Sequence, residues 1–334
     1  MRHRIAAALI LTGGLAVAAE QSAIAQTRSA APAKSYVPPK TPWGDPDIQG
    51  MWPSAAMQGV PMQRPESFGE RATLTDEEFQ RRERTLEGQR TGSFALGAWG
   101  EPGKAQRQAS LIVDPPNGRL PALTAEGLRR SASLRSSWQD IWFDNPSDFD
   151  TWDRCISLGL LPSMLPKMYS NGLQIHQSPG YVVIRNEILH EQRIIPVDGR
   201  PHIGSRIVSY LGDSRGHWEG NTLVVDTTNF NGKSSATNPG TPGSPPLNNV
   251  PTSQQLHIVE RFTRVAPDTL QYEATVNDPV VFTTPFKVAM PLHYDPDYQI
   301  FEYSCHVGNY ALKNLITGSQ ADLKKLLDSL ARKE

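Results

Sequence analysis

The chain has 334 residues, and its 33 Lys and Arg nearly cancel its 34 Asp and Glu, leaving a formal charge of −1. No basic block is available to track phosphates, which excludes nucleic acid as a partner class. The 26 Gly and 28 Pro favour many turns and short strands in one large domain or two small ones.

Met1-Arg2-His3-Arg4 precedes an uncharged run from Ile5 to Ala19, and Ala23-Ile24-Ala25 follows. A basic start, a short apolar core and an A-x-A site predict a secretory signal peptide over 1–25 and a periplasmic protein. The competing reading, a retained anchor, needs a longer apolar run, and no other long run occurs, so no integral membrane segment is expected after cleavage. Arg2 and Arg4 are not adjacent, which argues against twin-arginine export of a folded chain. Export unfolded disfavours a tightly bound cytoplasmic cofactor, and none is expected. Residues 26–40 read as a flexible leader. Residues 41–334 read as a single domain with an irregular or helical N-terminal extension.

Trp43, Ile48, Met51 and Trp52 lie among prolines and glycines and predict an ordered irregular arm. Thr75-Asp76-Glu77-Glu78 is a capping box that starts a charged surface helix to about Gln89, with a thin stripe of Phe79 and Leu86. Ser110 to Val113 is a short strand, and Thr124 opens a second helix through about Arg135. Trp138, Trp142, Phe143, Phe149 and Trp152 then crowd an acidic stretch, where packing and ligand stacking both stand as readings. Strands are predicted at Leu173–Gln177, Tyr181–Asn186 and Ile188–Ile195. Trp218 to Asp226 reads as a strand pair about Gly220-Asn221, with Asp213-Ser214 as a turn or cap braced by Arg215. Asn231–Thr252 reads as a long loop, either a lid or a disordered excursion. Further strands are expected at Phe282–Ala289 and Gln299–Cys305, and an amphipathic helix at Ala321–Ala331.

Between these lies the most informative hairpin. One parity reads Leu256, Ile258, Glu260, Phe262, and after Ala266-Pro267-Asp268 the other strand reads Leu270, Tyr272, Ala274, Val276. A hairpin puts both sets on one face, so the Glu260 carboxylate is either neutralised by a partner or held for chemistry. At least seven β segments joined mostly by hairpin turns, with no strand–helix alternation, predict a mainly β fold. The expected architecture is an antiparallel calycin-like (lipocalin-like) β-barrel with flanking helices, able to hold one small, largely apolar ligand.

Cys155 and Cys305 are the two cysteines. In an oxidising compartment they invite one disulfide worth roughly 4–5 kcal/mol on the chain-entropy model; two buried free thiols are the alternative. A disulfide would bring Arg154 near His306. His190-Glu191 begins like a zinc-protease motif, but Arg193 and Ile194 stand where the second His belongs. The histidines show no ligand spacing, so no metal is expected unless three meet in space. Gly212-Asp213-Ser214-Arg215-Gly216 matches a nucleophile elbow as a string but lacks the strand before and the helix after. What remains are groups on strands. His190 is a core histidine or a base. Arg193 is a salt bridge, with Glu260 or Asp226, or a clamp on a substrate carboxylate. Tyr303 and His306, with Arg154, can hold a phenol or carboxylate at one end of the barrel.

Several segments carry a resemblance: Asp47-Ile48-Gln49-Gly50-Met51-Trp52, Asp114-Pro115-Pro116-Asn117-Gly118-Arg119, Arg193 to His202, Gly212 to Phe230, and Tyr303 to Tyr310. They resemble a largely uncharacterised family of exported proteins of proteobacteria and acidobacteria. The chain is also similar to sphingomonad enzymes that open phenylcoumaran-type lignin dimers with loss of a γ-carbon as carbon dioxide or formaldehyde. That second resemblance implies an exported, cofactor-independent carbon–carbon lyase on a small phenolic or aromatic carboxylate. Phenolic acid decarboxylases share a small antiparallel barrel, which is an analogy of fold. In this reading Glu260 or His190 is the base, Arg193 or Arg154 orients the carboxylate beside Tyr272, and Tyr303 and His306 bond the oxygen on which charge develops. Two alternatives stand beside it: a non-catalytic periplasmic binding barrel in which Glu260 only pairs with an arginine, and a structural envelope protein with a filled interior.

Overall fold

Alternation of apolar and polar residues at period two writes most of this fold. The computed structural model describes residues 36–332, apart from 92–99, 102, 138, 140 and 246–249. The expected signal peptide, most of the leader and Trp138 lie outside the described residues. Tyr36–Glu334 form one unit.

Among the described residues there are ten strands: β1 Gly50–Met51, β2 Ile112–Asp114, β3 Leu173–Ser178, β4 Tyr181–Asn186, β5 Gln192–Pro196, β6 Asp213–Glu219, β7 Thr222–Thr228, β8 His257–Ala266, β9 Thr269–Asn277 and β10 Phe286–His293. They build two antiparallel sheets, ordered β1-β3-β4-β5 and β2-β10-β9-β8-β7-β6. The α-helices among the described residues are α1 Asp76–Thr91, α2 Ala125–Ser133, the short α3 Leu160–Met164, and α4 Ala311–Ala331. Among the described residues no helix is long and apolar enough to cross a membrane.

The central hairpin has the expected faces. Ile258, Glu260 and Phe262 on β8 and Leu270, Tyr272, Ala274 and Val276 on β9 are all buried, while their odd-parity neighbours are partly exposed. The two sheets share one core, to which Leu173, Ile175, Val182, Ile184 and Ile195 come from the smaller sheet. No ladder joins the sheets among the described residues, so the fold is shown as two antiparallel sheets over a common interior. They approach most closely where β5 passes β6. A Cβ on Gly216 would lie 2.8 Å from Val197 Cγ1 and 3.0 Å from Ile195 Cγ2, so only glycine admits that approach.

The capping box at α1 forms as expected: Thr75 N–H donates to Glu78 Oε2 at 2.8 Å, and Glu78 N–H donates to Thr75 Oγ1 at 3.3 Å. Thr124 caps α2 by accepting from Gly127 N–H at 2.9 Å. Phe143 and Phe149 stack at 4.5 Å and are buried, which is packing.

Several expectations are corrected. Ile188–Ile195 is not one strand. Residues 188–190 form a single tight turn, with Leu189 and His190 at φ 54° and 53°, and β5 starts at Gln192. Antiparallel pairing of β4 with β5 demands a reversal there, and Asn186 N–H closes it on Glu191 O at 2.8 Å. Gln299–Cys305 is not a strand either: its N–H groups at Phe301 and Tyr303 bond to side chains of Glu187 and His190. Asp213-Ser214 opens β6 and is not a turn. The strand expected at Phe282–Ala289 runs from Phe286 to His293, and α4 begins at Ala311, ten residues before the expected start. The described part of 231–252 neither protrudes nor hangs free. Ser234, Ala236, Thr237, Asn238 and Val250 are buried, and Ala236 N–H bonds to Val250 O at 2.9 Å.

Candidate functional site

Strand parity carries polar side chains into the apolar interior at two levels. At the first, Arg193 of β5 faces Glu260 of β8 across the space between the sheets. Its Nη1 donates to Glu260 Oε2, its Nη2 donates to Oε1 at 3.0 Å, and Tyr272 Oη donates to the same Oε1 at 3.0 Å. Met164 Sδ lies 3.8 Å from Nη2. Burial works against the Arg193 charge, but Glu260, Tyr272 and Glu191 together outweigh it and hold the guanidinium above its ordinary pKa. Burial, then the same carboxylate, pushes the Tyr272 hydroxyl well up. Of the two partners expected for Arg193, Glu260 takes the role. Asp226 instead accepts from His257 Nε2 at 2.7 Å and meets His202 Nε2 at 2.9 Å.

The second level is one side chain earlier on the same face of the chain. Glu191 is buried, and both its oxygens accept hydroxyl hydrogen bonds, from Ser157 on Oε1 and Ser163 on Oε2. Burial raises the pKa of this carboxyl, with the serine bonds and Arg193 pulling the other way. Ser163 sits in α3, and one turn further on Lys167 is also buried. Its Nζ donates to Ser163 O at 3.2 Å. Burial pushes the Lys167 ammonium down to about 8, against the pull of Glu101, Glu187 and Glu191. Tyr298 completes the cluster. Its hydroxyl lies 2.6 Å from Glu187 Oε2 and 3.0 Å from Glu101 Oε1, so one phenolic proton stands between two carboxyl groups.

This second level reaches solvent. Where no ladder joins β5 to β6, a cleft of about 410 Å³ opens between the sheets. Ser157, Glu191 and Arg193 line one side, and Tyr210, Leu211 and Gly212 line the other. A protonatable carboxyl with two hydroxyl partners at the base of such a cleft can give or take a proton. A larger groove of about 980 Å³ runs along α1, but Arg82 in its wall already donates to Gln106 O at 2.6 Å and Gln108 O at 2.7 Å. Its described lining also carries Glu78, which is already paired with Arg71.

The remaining sequence candidates fall beside this site. His190 is exposed, so the reading of it as a core residue on the Ile188–Ile194 stripe is corrected. Its Nε2 accepts from Tyr303 N–H at 3.1 Å. The Tyr303 ring stacks on Tyr169 at 6.3 Å, and burial, then Tyr303, raises the Tyr169 pKa. Cys155 and Cys305 are disulfide-bonded, and Arg154 and His306 do come together, in a surface recess beside that bond. Thus Glu260, Arg193 and Tyr272 form one group, His190 and Tyr303 a second, and Arg154 and His306 a third. Among the described residues no set of three His, Cys, Asp or Glu could hold a metal ion.

Sequence reasoning missed Glu191, Ser157, Ser163 and Lys167. Glu191 has the parity of Arg193 and Ile195, and that signal was available. The serines and the lysine sit in a stretch with no hydrophobic period to mark a face. None of the family models, curated proteins or solved structures compared with this chain matches it.

Proposed function

We propose that this protein is an exported lyase that removes a carboxyl or neighbouring carbon from a phenolic or other aromatic substrate, using acid–base groups at the cleft between β5 and β6. The reading takes the two sheets as halves of a calycin-like barrel left open along that edge. One observation carries it: the buried Glu191 carboxyl, raised in pKa and held by two serine hydroxyls at the base of the cleft. The general acid–base role expected for Glu260 moves here to Glu191, because both Glu260 oxygens are taken up by Arg193. In a decarboxylation the electron pair of the breaking bond stays on the substrate carbon. The protonated Glu191 then delivers the proton that carbon needs, and carbon dioxide leaves. A water-poor setting strengthens each such contact. The substrate class follows the resemblance to lignin-dimer lyases, and the disulfide supports export to an oxidising compartment.

The test is turnover of lignin-derived aromatic acids by purified protein, followed by chromatography of products. Glu191→Gln, which keeps the shape and the serine contacts, is expected to lose at least about a hundredfold in rate, as general acid–base groups do. Full activity in Glu191→Gln sinks the assignment. A second reading, a binding protein without turnover, is favoured by the complete pairing of Glu260 with Arg193 and Tyr272. Saturable binding of the same aromatics with no product formed would select it.

A further inference from the structure

A second recess, of about 560 Å³, lies beside the disulfide and is lined by segments from distant parts of the chain. Arg154 comes from the segment before Cys155. His306 and Asn309 follow Cys305, and Lys313 lies in the first turn of α4. Leu312 and Ile316 add apolar wall. Among the described residues no side-chain hydrogen bond or ion pair engages Arg154, His306 or Lys313, and the buried Nε of Arg154 is left without an acceptor. Buried guanidinium nitrogens are rarely left so. The nearest acidic neighbour in sequence, Asp153, is already occupied: it accepts from Ser137 N–H at 2.8 Å. Asn309 is tied down by donating to Asp153 O at 3.3 Å, which fixes one wall. Two cationic side chains and an imidazole therefore converge on one hollow that contains no carboxylate of its own.

We infer that this recess binds the carboxylate of a small organic acid, with Arg154 and Lys313 on the oxyanion and the apolar body against Leu312 and Ile316. Arginine and lysine without counter-ions recognise oxyanions, and adjoining apolar wall selects those with a hydrocarbon body over inorganic ones. The inference stands apart from the lyase reading, because none of its residues lines the cleft at Glu191.

The experiment is calorimetric titration of the full oxidised protein with 4-hydroxybenzoate, its neutral analogue 4-hydroxybenzamide, and inorganic phosphate. Saturable binding of the benzoate is expected, with the amide weaker by about tenfold or more, the worth of a charge-assisted bond. Arg154→Gln and Lys313→Gln, each checked by circular dichroism, are expected to weaken benzoate binding by about the same factor. Glu191→Gln is expected to keep the affinity, so that loss of turnover and loss of this site are read separately. Equal affinity for acid and amide, unchanged affinity in both charge variants, or binding of phosphate alone overturns the proposal.

Discussion

Arg193 and Glu260 join two sheets that share no ladder among the described residues. The guanidinium enters from β5 and the carboxylate from β8, and both are almost fully buried, at 4% and 0% side-chain exposure. Removing one partner leaves an uncompensated charge in the core, which costs about 3–5 kcal/mol, whereas replacing both by apolar residues of similar volume is often neutral. Arg193→Met and Glu260→Leu are therefore each expected to lower the stability to denaturant by that amount. The double variant is expected to recover most of it. A double variant as unstable as the sum of the singles would show that the two side chains do not act as a pair.

The second polar level predicts an unusual pH profile. Glu191 has a folded pKa above its ordinary value of 4.5. Its contribution to stability is therefore complete below 4.5 and is lost as pH rises through the folded value. Lys167 works in the opposite direction: its folded value is about 8 against an ordinary 10.5. The unfolded chain holds that proton more tightly, so the contribution is complete above 10.5 and is lost as pH falls through 8. Wild-type stability should fall from acid toward neutral pH on account of Glu191 and rise from 8 toward 10.5 on account of Lys167. Glu191→Gln should flatten the first limb and Lys167→Met the second, measured as denaturant midpoints across pH. A Lys167→Met variant that keeps the alkaline rise would show that another group produces it.

How far the sequence disclosed this arrangement depends on what each residue needed to be seen. The β8–β9 hairpin was legible because its period-two alternation runs from Leu256 to Phe262 and again from Leu270 to Val276, and Glu260 stands out as the one acidic residue on the apolar parity of those two stretches. The Cys155–Cys305 pair needed only a count and a compartment. The start of β5 was hidden because Leu189 and His190, neither of them glycine, take the left-handed region. That turn throws His190 outward while Glu191 turns in. The stretch 299–305 alternates like a strand through Phe301, Tyr303 and Cys305, yet its amides are claimed by the carboxylate and imidazole side chains of 187 and 190. A side chain that substitutes for a neighbouring strand leaves no mark in the hydrophobic pattern. The recess at Arg154 and His306 was foreseeable only through the disulfide, and Lys313 joins it because α4 begins earlier than its leucine repeat suggested.

The connection from β5 to β6 forms one wall of the cleft, and His202 ties it down. Nδ1 meets Asp213 Oδ2 at 2.8 Å and Nε2 meets Asp226 Oδ1 at 2.9 Å, while Arg215 Nη1 lies 2.7 Å from Asp213 Oδ1. His202→Gln keeps at most one of these bonds in good geometry and should cost about 1–2 kcal/mol. The sharper expectation is local. Limited proteolysis should cut residues 198–212 faster in the variant while the β8–β9 core stays protected under hydrogen exchange. Unchanged cleavage in that segment would mean the two aspartates do not hold it.

The disulfide closes a span of 150 residues, joining the turn that supplies Ser157 to the arm that supplies Tyr303 and the start of α4. Cross-linking so long a loop removes conformational freedom from the unfolded chain and contributes roughly 4–5 kcal/mol in that model. The paired variant Cys155→Ser with Cys305→Ser should lose stability of that order. Its effects should also be uneven. Arg193 and Glu260 are anchored by strands and should remain in place, with near-native tryptophan fluorescence and far-ultraviolet circular dichroism. The arm from 298 to 310 is held to the body by side-chain bonds rather than by a strand ladder among the described residues: Tyr298 to Glu187 and Glu101, Phe301 to Glu187, Tyr303 to His190 and the Tyr169 ring, and Asn309 to Asp153. Hydrogen exchange should therefore rise first in 299–316 and leave β8 and β9 unaffected. Uniform deprotection of both regions would show that the bond supports the whole fold rather than this arm.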